Sequence, residues 1–145
     1  MVLDCRLSLP LESLIFSAEA QTLLFASSSF AGLPKVVQLQ EKGVTVLFVG
    51  EHSGKLDLRQ VLVELHKRQV LSVLVEGGSR LSASFIHERL VDKILIFVAP
   101  KLFGGDALSA FAPLGISVPE QAVNLRFEPP HFFGRDVLLE AYVDA

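Results

Sequence analysis

The tetrapeptide Glu76-Gly77-Gly78-Ser79 holds the residue types of this chain best suited to handling charged ligands. Two glycines ahead of a helical stretch leave bare backbone N–H groups at the helix N-terminus. The unpaired amides and the helix dipole there favour an anion, typically a phosphate. Hydroxyls at Ser79, Ser82 and Ser84 add donors, so the turn suits a pyrophosphate. Glu76 repels phosphate and is assigned to a second ligand. Arg80, in the first helical turn, opposes the dipole and is accounted for by a bound anion. The same turn also has a purely conformational reading, because glycine pairs are frequent in turns, and Glu76 then becomes a solvated rim carboxylate. It is not the dinucleotide fingerprint, which needs three spaced glycines; the third position here is Leu81 or Ser82.

Other groups carry less. Lys101-Leu102-Phe103-Gly104-Gly105-Asp106 is a second glycine pair after a strand and reads as a surface loop. Ser27-Ser28-Ser29 follows a strand, suiting either an ordinary loop or contacts to an adenosine phosphate or ribose. Cys5 has no nearby histidine and reads as a small core residue. His52, His66, His87 and His131 lie far apart. Ile86-His87-Glu88-Arg89-Leu90 begins like a zincin helix, but the second histidine would fall at Val91, so no metal site is expected. No Ser-His-Asp set, paired acids or P-loop stands out, and no residue is assigned as catalytic.

The elements that must position this turn follow from periodicity. Leu71 to Val75 is expected as a buried strand breaking at Glu76, with a helix from Ser79 to Leu90 carrying Leu81, Phe85 and Leu90 on one side. Upstream, Val2 to Asp4, Thr22 to Ala26 and Val44 to Val49 read as strands, and Pro34 to Gly43 as a helix stopped by Gly43. Asp57 caps a helix with Leu58, Val61, Leu62 and Leu65 at i, i+3, i+4, i+7 spacing. Ile94 to Val98 is a strand, Lys101 to Gln121 is irregular, and Val123 to Phe127 and Val137 to Val143 finish as strands. Continuous apolar strands separated by helices argue for a mostly parallel sheet with helices on both faces, closed by an antiparallel C-terminal hairpin: a three-layer α/β class.

With 145 residues, the chain fits one domain, 1–145. Half its residues are hydrophobic and mean hydropathy is +0.48, so an apolar face is either well buried or covered by a partner. The net charge of −3 with scattered basic residues gives no footprint for nucleic acid. No apolar run is long enough to predict a membrane helix. A single cysteine excludes an internal disulfide and fits a reducing, cytoplasmic compartment.

Val73 to Asp92 (VLVEGGSRLSASFIHERLVD) followed by Phe97 to Asp106 (FVAPKLFGGD) resembles the reductase domain of the bacterial riboflavin-biosynthesis protein RibD. The opening Val2 to Leu11 and the closing Gly134 to Ala141 are similar to the family's segments in the same order. The resemblance implies a dihydrofolate-reductase-like fold and NADPH-dependent reduction of 5-amino-6-(5-phosphoribosylamino)uracil, the ribosyl group becoming a ribityl chain. It implies that Glu76 contacts substrate, and that Gly77, Gly78, Ser79, Arg80, Leu81, Ser82, Ala83 and Ser84 line the NADPH phosphates. Cys5 falls where the family has a serine or threonine near the cofactor, a weaker donor in its place. Members are usually dimers or larger, so a homodimer is implied.

The family's domain also has upstream segments resembling S-L-D-G-K and W-I-T and an arginine-containing stretch, none of which precedes Met1. The expectation is therefore the C-terminal portion of a RibD-type reductase domain, with little activity on its own. Two alternatives stay open: another dihydrofolate-reductase-like reductase, acting on a pterin, and a non-catalytic module that only dimerises.

Overall fold

The structure is a computed structural model and describes residues 1–17 and 19–144. It divides into two compact units, Met1–Val73 and Leu74–Ala145.

In the first unit, β1 (Val2–Leu3), β2 (Leu23–Ser27) and β3 (Thr45–Val49) pair in that order, all parallel. The register sets Val2 against Leu24 and Leu23 against Thr45. Alternation along β2 sends successive side chains to opposite faces. Leu24 and Ala26 pack with Val36 and Leu39 of α1 (Pro34–Glu41), whereas Phe25 packs with Val61 and Leu65 of α2 (Leu58–Lys67). The parallel sheet is thus covered on both faces, giving three layers. Burying Phe25 completely contributes roughly 2–3 kcal/mol.

Between β3 and α2 the chain makes a short antiparallel pair that periodicity did not reveal, β4 (Glu51–His52) and β5 (Lys55–Leu56). Its turn uses positive φ at Ser53 (51°) and Gly54 (74°). Asp57 caps α2 as expected, accepting from the Gln60 N–H at 3.0 Å. Gln60 also reaches back: its Oε1 accepts the Gly50 N–H at 2.8 Å, tying α2 to the end of β3.

The second unit holds α3 (Gly78–His87), β6 (Lys93–Val98), β7 (Leu125–Phe127), β8 (His131–Phe133) and β9 (Asp136–Val143). All its pairings are antiparallel, and β9 is the common partner of β6, β7 and β8. Helix α3 ends three residues before Leu90, through Arg89 at φ 55° and a Leu90 N–H to Phe85 carbonyl bond of 3.0 Å. Lys101 to Gln121 is irregular as expected, apart from a single turn of 3₁₀ helix at Pro119–Gln121.

One element differs outright. Leu71 to Val75 is not a buried strand: it pairs with no strand among the described residues, and Leu71 and Leu74 are 93% and 71% exposed. An apolar run specifies a wish for burial, but a strand exists only where a neighbouring ladder takes up its N–H and C=O groups. No helix among the described residues is long and apolar enough to cross a membrane.

Candidate functional site

Glu76 lies exposed, just ahead of Gly77, the N-cap of α3. The two glycines do different work. Gly78 sits at φ 65°, in the left-handed region where a side chain is strained, and a Cβ built there meets nothing within 4 Å. A Cβ on Gly77 would collide with Leu81 Cδ2, so a side chain there would require Leu81 to swing aside. No side chain caps the helix. The early amides, from Gly77 to Arg80, are therefore left for an outside acceptor. This open cradle fits a phosphate group.

Further along α3, Ser79, Leu81 and Ser82 are half-buried, Arg80 is exposed and Ala83 is buried. The Ser79 carbonyl accepts the Ala112 N–H at 3.1 Å, holding part of the irregular segment at the helix start. The Ser84 hydroxyl donates to the Arg80 carbonyl at 3.1 Å and is spent within the helix.

Cys5 belongs to the first unit, where it meets a partner that sequence reasoning missed. Its thiol donates to Glu51 Oε2 at 3.1 Å. Burial, then the hydrogen bond and charge of Glu51, push the thiol up to about 11. The Ser27 and Cys5 hydrogen bonds, with help from the Arg6 charge, hold the Glu51 carboxyl below its ordinary value. Ser27 is buried, with its N–H on the Cys5 carbonyl at 3.0 Å. Cys5, Ser27 and Glu51 each follow or end one of the three parallel strands, so they share the sheet's carboxyl edge, where ligands of open α/β sheets gather. The signal for Glu51 was available: it follows a strand and a glycine, much as Glu76 was expected to end one.

A thiol with this pKa is a thiolate in only about one molecule in ten thousand at pH 7. Cys5 is accordingly expected to resist iodoacetamide at pH 7, and Glu51→Gln to speed its alkylation. Mass spectrometry of the labelled peptide checks both; an equal rate in the two proteins would remove Glu51 as the cause.

Among the described residues, no cluster of His, Cys, Asp and Glu has the arrangement to hold a metal ion.

Residues 1–139 match the RibD C-terminal domain family. The chain is 33% identical over 145 residues to the riboflavin biosynthesis protein RibD of Actinobacillus pleuropneumoniae, covering 99% of this chain and 38% of that protein. It is 36% identical over 105 residues to the 2,5-diamino-6-ribosylamino-4(3H)-pyrimidinone 5′-phosphate reductase of Archaeoglobus fulgidus, covering 72% of this chain and 46% of the relative. The solved RibD of Acinetobacter baumannii superposes with a TM-score of 0.83 at 26% identity, over 99% of this chain and 37% of that one. The chain thus spans less than half the length of these relatives.

Proposed function

The chain belongs to the RibD C-terminal domain family, and from that premise we propose that it forms the cofactor-cradling portion of a cytoplasmic, NADPH-dependent pyrimidine reductase domain. The substrate on this reading is 5-amino-6-(5-phosphoribosylamino)uracil, whose ribosyl group is reduced to ribityl. The observation that carries the reading is the uncapped N-terminus of α3, with Gly78 at φ 65° and open space where a side chain would stand.

When bound, the dinucleotide supplies a hydride to the ring-opened ribosyl C1. The protein's own contribution is placement. Amides from Gly77 to Arg80 donate to the pyrophosphate, where the helix dipole adds to the attraction. Ser79, Leu81, Ser82, Ala83 and Ser84 form the wall behind it. Glu76 accepts hydrogen bonds from the substrate, its charge keeping the phosphate on the glycine side. Holding both partners in one geometry removes much of the entropic barrier.

The purified protein is expected to bind NADPH but, as a portion of the domain, to oxidise it little with the pyrimidine present. Fluorescence titration measures the binding and absorbance at 340 nm the turnover. Absence of dinucleotide binding would overturn the reading, and turnover at the rate of a complete domain would overturn its being a portion.

We place a second copy of the chain on the β6–β9–β8 face. Leu95, Phe97 and Phe133 are exposed there, Phe97 by 65%, with the Phe97 and Phe133 rings 6.0 Å apart. Charges of both signs surround them: Lys93 pairs with Glu140, and Lys93 and Arg126 lie 5.3 and 5.1 Å from the Tyr142 ring centre. Such a face is self-complementary across a two-fold axis. Light scattering is expected to report a dimer, and Phe97→Glu a monomer; a monomeric unsubstituted protein would refute the assignment.

A further inference from the structure

The second unit contains one long stretch of chain that its ladders and helix leave unused. Residues 99–118 hold neither helix nor strand. Structureless connections beyond about 12–15 residues are uncommon in compact domains and usually cover or line a binding site. This one is fixed at both ends. Before it, β6 ends on the Val98–Val137 pair with β9. Further on, the Ala112 N–H donates to the Ser79 carbonyl, in the first turn of α3, at 3.1 Å. The Ser109 hydroxyl donates to the Phe111 carbonyl at 2.6 Å and firms that second anchor, where Phe111 and Ala112 are half-buried. Between the anchors, residues 101–110 are all exposed. No side chain of residues 102–108 makes a hydrogen bond or ion pair among the described residues.

The composition of this arc is wrong for an idle loop. Leu102 and Leu108 are fully exposed and Phe103 is 76% exposed, so three large apolar side chains stand in water beside each other in sequence. Gly104 and Gly105 have nothing within 4 Å of a built Cβ, which leaves the arc room to bend at that point. Lys101 and Asp106 cancel in charge, so apolar contact rather than attraction to phosphate would drive its movement. Its second anchor, Ser79, is one of the residues whose amides form the open cradle of α3.

We propose that residues 101–110 are a cover for that cradle. With a dinucleotide bound, Phe103, Leu102 and Leu108 fold over it and shut out water. This rests on the dinucleotide reading above, and arc and cradle belong to the same compact unit. Excluding water strengthens the pull of the amides on the pyrophosphate, and release must then wait for the cover to open.

The chain contains no tryptophan, so a single one can report on the arc. Phe103→Trp places it there, and Phe132→Trp places a control on β8, at a side chain 74% exposed. Saturating NADPH is expected to move the Phe103→Trp emission to shorter wavelength and to lower its acrylamide quenching severalfold, leaving Phe132→Trp unchanged. Phe103→Ser is expected to speed NADPH dissociation on the order of tenfold, the loss of one partly buried aromatic side chain, with association little altered. Thermal melting verifies that the variants remain folded. With NADPH bound, an unmoved Phe103→Trp reporter, an equal response from Phe132→Trp, or an unchanged dissociation rate in Phe103→Ser overturns the cover and leaves the dinucleotide reading standing. Failure of the unsubstituted protein to bind NADPH overturns that reading and this inference with it.

Discussion

Replacing Gly78 with aspartate is expected to abolish NADPH binding while leaving the fold intact. The position has φ 65° and no neighbour within reach of a new Cβ. Aspartate is among the few residues that tolerate this left-handed conformation, and a carboxylate in the first turn of a helix is favourable to the helix itself. What it does instead is fill the cradle with a negative charge and offer its oxygens to the amides that would hold the pyrophosphate. The expected loss is about 100-fold or more in affinity, roughly 3 kcal/mol. Gly78→Asn is the control: similar in shape and uncharged, it should weaken binding far less. Fluorescence titration of both variants, with circular dichroism to verify the helix, gives the answer. Full affinity in Gly78→Asp would move the pyrophosphate elsewhere.

The second large effect concerns stability. Asp4 is only 8% exposed and organises the turn after β1: its carboxylate accepts the Leu9 N–H at 2.8 Å and the Ser8 hydroxyl at 2.9 Å. Lys35 braces the same turn, donating to the Leu7 carbonyl at 2.7 Å. Asp4→Ala strands these donors, at about 2–3 kcal/mol, which lowers Tm by roughly 5–10 °C. Burial pushes the Asp4 carboxyl up, but the Leu9 and Ser8 N–H groups, the Ser8 hydroxyl and the Arg6 N–H outweigh it and hold the group below its ordinary 3.8. A depressed native value means that this stabilisation is complete above 3.8 and is lost as pH falls through the lower native value. Asp4→Asn is therefore expected to flatten the acid limb of the stability curve below about pH 4. Urea melts at pH 7 and pH 3 measure this; a variant as stable as the unsubstituted protein at pH 7 would show that the turn does not depend on Asp4. Because the turn carries Cys5 and Arg6, the loss would also loosen the contact between Cys5 and Glu51.

How far the sequence disclosed this molecule depended on the range of the interaction involved. Helix α2 was legible because its signals are local: Asp57 sits next to the apolar positions it caps, and their spacing matches one face of a helix. Gly78 was legible for the same reason, since a left-handed helix entry favours glycine wherever it occurs. Leu71 to Val75 was misread because strand formation is decided by a partner elsewhere in the chain, and five apolar residues carry no record of whether one exists. β8 was missed because His131–Phe133 is three residues long and gains its identity from β9. The Cys5–Glu51 contact joins residues 46 positions apart, and no spacing rule reaches that far. Collinear family resemblance supplied the remainder, including the substrate proposed above.

The arrangement of β9 has a consequence for how the protein comes into being. The three strands that pair with β9 precede it in the chain, and none of them finds a ladder partner elsewhere among the described residues. During synthesis β1, β2 and β3 can pair while the chain is still growing, since all lie within its first 49 residues. β6, β7 and β8, with Phe97, Phe127, Phe132 and Phe133 among them, must wait as unpaired apolar segments until β9 emerges from the ribosome. That interval, rather than the stability of the finished molecule, is where the chain is most exposed to aggregation. Lys93 at the start of β6 and Arg126 within β7 stand where gatekeeper charges would shorten the risk.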